Sequence, residues 1–197
     1  MCSSDLRRGD RVVLDMQNCP QLVVAHFAIL RANAVVVPVN PMNRAEELKH
    51  YITDPDARVA IVTSDLAPEI AKASLSLPPE QCLQHLIVTH YSDAFDPDQA
   101  PDLPTAWSPW LLARPDLPSL PGAGVTTWTE ALTCEATPPP HEVGRDDMAL
   151  LPYTSGTTGL PKGCIHPHRS IMHNVYAGAL WGGHSQDRKS TRLNSSH

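Results

Sequence analysis

Two hydrophobic rhythms alternate along the first half of the chain. Residues 11–16, RVVLDM, alternate in the manner of a strand. The next stretch, PQLVVAHFAILRAN, repeats apolar residues at helical spacing behind Pro20, a residue favoured in the first helical turn. It ends at Asn33, where a left-handed cap is expected; Asn is the usual second choice to Gly there. AVVVPV, residues 34–39, predicts a short buried strand. NRAEELKHYITD predicts a second helix, with Asn43 and Glu46 spaced as a capping box. RVAIVTS predicts a strand, residues 65–77 a helix, and HLIVTH another strand.

Such alternation predicts βαβ units, and therefore an α/β fold: a mostly parallel sheet with flanking helices. The texture changes after that. Ten of the chain's twenty prolines fall between Pro97 and Pro140, so residues 97–140 cannot be continuous regular structure. They read as a surface excursion of the same domain, with WTEAL at Trp128 a short helix inside it. Trp107 and Trp110 are expected to pin this loop to the body rather than bind a ligand. Order resumes with DDMALLPYTS, a strand, and GCIHP, a further strand. HRSIMHNVYAGALWGG then predicts a helix ending at Gly182 or Gly183. No internal repeat is present.

Composition narrows the function classes. Of 197 residues, 42% are hydrophobic, enough for a sizeable core. The formal charge is −6 with no cluster of Lys and Arg, which excludes the phosphate-backbone contacts of a nucleic-acid binder. The most apolar run, Leu22 to Val39, is interrupted by His26, Arg31 and Asn33, so no transmembrane segment is expected. His26 itself reads as a satisfied core residue. Five cysteines without CxxC spacing point to free thiols in a reducing compartment, and hence to a cytoplasmic protein.

Both ends look foreign. Asp187-Arg188-Lys189-Ser190 and Cys2-Ser3-Ser4-Asp5-Leu6 can be encoded by one piece of DNA read on opposite strands, and both resemble translated sequencing adapter. Residues 1–6 and 187–197 are therefore set aside, leaving 7–186 for fold reasoning. Met1 is then not the natural start, and the lack of a targeting signal carries no weight.

The densest chemistry lies in YTSGTTGLPKG, Tyr153 to Gly163. Glycines let backbone N–H groups approach an anion, hydroxyls add donors, and a lysine adds a point charge. A phosphate chain wants all three, and Thr154, Ser155, Gly156, Thr157, Thr158, Gly159 and Lys162 offer them directly after a strand. The spacing is not G-x-x-x-x-G-K-[ST]: Leu160 and Pro161 separate Gly159 from Lys162, and GCIHP intervenes before any helix. A Walker loop is excluded on those grounds. A Gly/Thr-rich turn without a ligand remains the bland alternative from composition alone.

The full spacing resembles the phosphate-loop signature of the adenylate-forming enzymes, [YF]-T-S-G-[ST]-T-G-x-P-K-G. That family includes acyl-CoA synthetases, aryl-CoA ligases, luciferases and peptide-synthetase adenylation domains. GDRVVLDMQNCPQLVVAHFAILRANAVVVPVNP also looks like an early segment of the family's large N-terminal domain. Asn33 stands where a glycine is usual, and is read as a cap substitution of little consequence. Cys164 stands where an aliphatic residue is common and is expected to pack as a small hydrophobe. The run VNPMNRAEELKHYITD looks most like fatty-acyl or related carboxylate ligases.

The resemblance implies the first part of a large domain that converts a small-molecule carboxylate and MgATP to acyl-adenylate and pyrophosphate. The acyl group then passes to coenzyme A. ATP, Mg2+ and coenzyme A are thus the implied cofactors, and Thr154 to Lys162 the implied wrap around the β- and γ-phosphates. The family's adenine, ribose and hinge motifs and its C-terminal lysine have no counterpart in these residues. No catalytic residue is assigned, and the chain alone is expected to be inactive. An adenylation domain loading a carrier protein, or a noncatalytic nucleotide-binding module, are the alternatives.

Other clusters carry less. Cys164, His166, His168 and His173 suggest a metal site, but Pro167 fixes the local geometry and the family has a histidine near His168 without a metal. His168 is expected at a helix start, and no metal ligand is assigned. Asp146 and Asp147 read as a solvated turn. TSGTTG is not the G-x-S-x-G of a serine nucleophile.

Overall fold

A computed structural model describes residues 6–95, 106–154 and 159–183 of the chain. Residues 1–5 and 187–197, read above as foreign, lie outside them. The strand β1 (Arg11–Asp15) sends alternate side chains to opposite faces: Val13 enters one apolar cluster, Val12 and Leu14 the other. Beside it run β2 (Val35–Pro38) and β3 (Val59–Thr63), with β4 (His85–Thr89) and β5 (Gly124–Thr127) beyond β3. On the other side of β2 stand β6 (Met148–Leu150) and then β9 (His166–Pro167). The described residues thus form a seven-stranded sheet in the order β5-β4-β3-β1-β2-β6-β9, parallel throughout except for the pair β6–β9. The fold class is as expected, α/β with a mostly parallel sheet.

Both faces are covered, as parallel sheets require. Helices α2 (Ala45–Thr53) and α3 (Ala67–Leu75) seal one face through Leu48, Ile52 and Ile70. On the opposite face, α1 (Pro20–Arg31) and α5 (Trp128–Thr133) bring Ala25, Ile29 and Trp128. Asp15, the last residue of β1, is 2% exposed, and its Oδ1 has no partner. Burial first, and then the nearby Asp65 carboxylate, push its pKa up to about 7.

Several local details differ from expectation. The second helix starts at Ala45, and Asn43–Glu46 form no capping box. Glu47 instead accepts a hydrogen bond from the Arg44 N–H at 2.9 Å, while Glu46 pairs with Lys49 at 2.8 Å. Arg44 has no acceptor atom, so only one half of a box is possible. The proline-rich excursion is more than surface loop. It supplies β5 to the sheet, and its α4 (Ser108–Leu111) and α5 are both short. Thr127 and Glu130 cap α5 reciprocally, by Thr127 N–H to Glu130 Oε2 at 2.8 Å and Glu130 N–H to Thr127 Oγ1 at 3.2 Å. Its anchors are Leu120 and Trp128, both buried. Trp110 packs on Tyr91 with ring centroids 4.5 Å apart, whereas Trp107 lies exposed.

Asn33 adopts the left-handed conformation with φ 60°, as expected, but it is far from inconsequential. It is buried. Its Nδ2 donates to the Pro140 carbonyl at 2.7 Å and its Oδ1 accepts from the Glu142 N–H at 3.1 Å. A glycine there would cap the helix and leave the end of the excursion untied. His26 is half-buried rather than a core residue, and lies edge-on to Phe27. Burial lowers its pKa. Cys19, Cys82 and Cys164 are free, but Cys134 is disulfide-bonded, against the expectation of free thiols throughout. Among the described residues, no helix is long and apolar enough to cross a membrane.

Candidate functional site

The stretch DDMALLPYTS does not run as one strand. The Leu151 N–H still bonds to Val36 O at 2.8 Å, but Pro152 has no N–H to continue the ladder. The chain leaves the sheet there. Tyr153 and Thr154 become β7 (Tyr153–Thr154), which pairs antiparallel with β8 (Lys162–Gly163) in a separate two-stranded sheet. Tyr153 stands opposite Gly163 and Thr154 opposite Lys162. A bond from Cys164 N–H to Pro152 O, 2.8 Å, closes the base of this hairpin. GCIHP is likewise divided, its glycine belonging to β8 and its His166–Pro167 to β9.

The hairpin mouth therefore carries Thr154 on one stem and Lys162 on the other, both exposed, with Thr154 Oγ1 3.5 Å from Lys162 O. Gly159 has open space where a Cβ would lie. Ser155, Gly156, Thr157 and Thr158 fall outside the described residues, so of the seven loop residues singled out from sequence, three are located. An exposed ammonium, a hydroxyl and an unobstructed glycine backbone around one opening suit a polyanion.

Residues that sequence reasoning missed hold this hairpin in place, and they come from α2. The Tyr153 hydroxyl donates to Asp54 Oδ2 at 2.6 Å. Its ring meets Tyr51 edge-on at 4.9 Å and His50 at 5.5 Å between centroids. On the other stem, His50 Nε2 lies 2.7 Å from the Pro161 carbonyl oxygen. A carbonyl only accepts, so His50 carries a proton on Nε2. Burial, and next the Asp54 carboxylate that the hydroxyl serves, raise the Tyr153 pKa and keep the phenol a donor. Gly163 completes the packing. A Cβ there would stand 3.0 Å from Leu151 Cδ1 and 3.3 Å from Tyr153 Cζ, so the tyrosine ring fills the space a side chain would take. The only sequence trace of this seat is that His50 and Asp54 are four apart and share a helix face.

After the hairpin, the chain re-enters the main sheet as β9 and starts α6 (His168–Trp181). His168 opens that helix, as expected, with its N–H donating to Asp147 O at 3.0 Å. The turn at Asp146 and Asp147 is solvated and ion-paired: Asp146 contacts Arg169 at 3.0 Å and Asp147 contacts Arg8 at 2.6 Å. Bonds from the Gly144 N–H and from Arg8 hold the Asp147 carboxyl below the usual carboxylate range. Among the described residues, no three His, Cys, Asp or Glu side chains are placed to hold a metal ion.

Comparison with known proteins gives this geometry a context. A long-chain-fatty-acid–CoA ligase of Haemophilus influenzae is 32% identical over 195 residues, covering 93% of this chain and 33% of that protein. The chain thus spans about a third of the length of that relative. Among solved structures, an anthranilate CoA ligase in complex with anthranoyl-AMP is 26% identical with a TM-score of 0.57, over 90% of this chain and 28% of its own. A putative long-chain-fatty-acid CoA ligase from Rhodopseudomonas palustris CGA009 superposes with a TM-score of 0.66 at 16% identity, over 92% of this chain and 37% of its own, a likeness of fold. The AMP-binding enzyme description matches residues 2–197, the hairpin and the whole sheet included. By that match, the chain belongs to the AMP-binding enzyme family.

Proposed function

We propose that this chain is part of an ATP-dependent acyl-CoA synthetase acting on a fatty acid, and that its hairpin holds the β- and γ-phosphates of ATP. The observation that carries the reading is the pairing of Thr154 with Lys162 on the two stems, which sets both exposed residues on one face of the hairpin. The named relative is a fatty-acid–CoA ligase, which supports the substrate class and coenzyme A as acceptor.

In this reaction a carboxylate oxygen attacks the α-phosphorus, the bond to the β-phosphate oxygen breaks, and pyrophosphate leaves with the electron pair. Charge grows on the departing pyrophosphate. In this reading Lys162 and the Thr154 hydroxyl stabilise that charge electrostatically, as preorganised groups do in phosphoryl-type transfers. Magnesium bound with the nucleotide supplies further charge neutralisation; no described residue here is assigned to it. The parts of the family that hold adenine, ribose and the reacting carboxylate have no counterpart in these residues. The chain alone is accordingly inactive in this reading, though its loop is intact.

The test is Lys162→Ala in the full-length enzyme, following pyrophosphate release and thioester formation separately. Adenylation should slow by about 10²-fold, the usual cost of removing one preorganised charge-stabilising group, with thioester formation from supplied acyl-adenylate little changed. Equal slowing of both half-reactions would overturn the assignment.

A further inference from the structure

We propose that His50 and Asp54 on α2 are positioning residues for the phosphate loop: together they hold its two stems at a fixed separation, so that Thr154 and Lys162 meet the nucleotide preset. The proposal rests on the reading above that the hairpin holds phosphates, and adds to it a second element, 99 to 111 residues away in sequence, as the seat of the loop.

The geometry is that of a two-point clamp. Asp54 takes the stem before the loop, through the Tyr153 hydroxyl at 2.6 Å. His50 takes the stem after it, through the Pro161 carbonyl at 2.7 Å. Both grips come from one element, since His50 lies in the last turn of α2 and Asp54 is its C-cap residue, one turn further on. α2 in turn is fixed to the sheet by Leu48 and Ile52, each 1% exposed. The stems themselves are short. Among the described residues two residue pairs and the Cys164–Pro152 bond make the ladder, too little to hold a hairpin in water unaided. The hairpin therefore depends on what it leans against. The Tyr153 ring, wedged against Tyr51 and His50 and filling the space left by Gly163, supplies the apolar part of the contact.

This arrangement reconciles two demands on a phosphate loop. Its glycines must let the backbone fold around an anion, while its charged stem residue must be preset to act electrostatically. A clamp at the stems acts on the residues beside Thr154 and Lys162, through Tyr153 and Pro161. The His50 bond needs only a proton on Nε2 to donate to the Pro161 carbonyl.

Two readouts test the proposal. In the 197-residue chain, hydrogen exchange of the Thr154, Lys162 and Cys164 amides, the ones that the hairpin register turns inward, should quicken about three- to tenfold in His50→Ala, the range for loss of one hydrogen bond, while amides of β1 and β3 keep their protection. His50→Gln, which keeps an N–H donor at similar reach, should restore much of the protection. In the full-length enzyme, His50→Ala and Asp54→Ala should each slow adenylation about tenfold and leave thioester formation unchanged, with His50→Gln again recovering rate. Unchanged hairpin exchange in His50→Ala would overturn the clamp whatever the enzyme does. Faster exchange with normal adenylation would show a structural contact without a positioning role, and would equally overturn the proposal. Neither result touches the phosphate-holding reading, which stands or falls with Lys162→Ala.

Discussion

The half of the sheet from β1 to β4 and the segment from β6 to α6 are built on opposite terms. In the first, strands and helices conceal one another: all five residues of β3 are buried, and α1, α2 and α3 each turn an apolar stripe inward. In the second, strands of two or three residues alternate with prolines, and α6, fourteen residues long, buries none of its side chains. Met172, Val175, Tyr176, Leu180 and Trp181 all lie exposed on it, Trp181 at 94%. A helix of that length is marginal in water without tertiary packing. The lesson is that the presence of an element and its support are separate matters. The β1–β4 region holds itself together, while the hairpin borrows its rigidity from that region through α2.

The sharpest way to probe the contrast is to cut into the supported half. Ile70→Ala, at a fully buried position on α3, should cost about 2–5 kcal/mol and lower the midpoint of denaturant unfolding accordingly. A cost below about 1 kcal/mol would mean the core is looser than its burial implies. Next comes the charge hidden in the same half. The Asp15 carboxyl has a folded pKa of about 7 against an ordinary value of 3.8, so the folded state holds the proton more tightly than the unfolded chain does. The stability it contributes is fully present below about pH 4 and is lost as pH rises through 7, a few kcal/mol in all. Asp15→Asn should remove that decline from a pH series of unfolding midpoints. A wild-type midpoint flat between pH 4 and 8 would contradict the burial of this group. The smallest effect is expected in the unsupported segment: Leu180→Ala on α6 should change global stability by less than about 0.5 kcal/mol. A loss as large as that of Ile70→Ala would erase the contrast.

Legibility in the sequence follows the same division. From Arg11 to Thr89 the apolar rhythm is local and continuous, and each expected strand and helix is present, displaced by a few residues at its ends. The turn at Asn33 was readable because left-handed backbone selects few residues, but its grip on Pro140 and Glu142 was not, since those partners lie more than 100 positions away. β5 was hidden inside a proline-rich stretch, where GVTT is too short for a rhythm to register. The loop itself was legible as chemistry, because glycines, hydroxyls and a lysine at fixed spacing are a local property. Its seat on α2 was not: it joins Tyr153 to Asp54 and Pro161 to His50, a match of shapes and donors that no window of sequence contains. Pro152, by contrast, marked the point where one expected strand divides in two, and the lack of an N–H there is a local fact.

Among the described residues, β9 stands at the rim of the sheet, and its proline has a consequence there. The His168 N–H points inward to Asp147 O, so the nitrogen one residue earlier, that of Pro167, faces away from the sheet. Being a proline, it offers no hydrogen there. A neighbouring molecule approaching this rim finds no outward donor at that position with which to begin an eighth strand. The residue that closes β9 thus leaves this rim of the described sheet without an outward donor at that position.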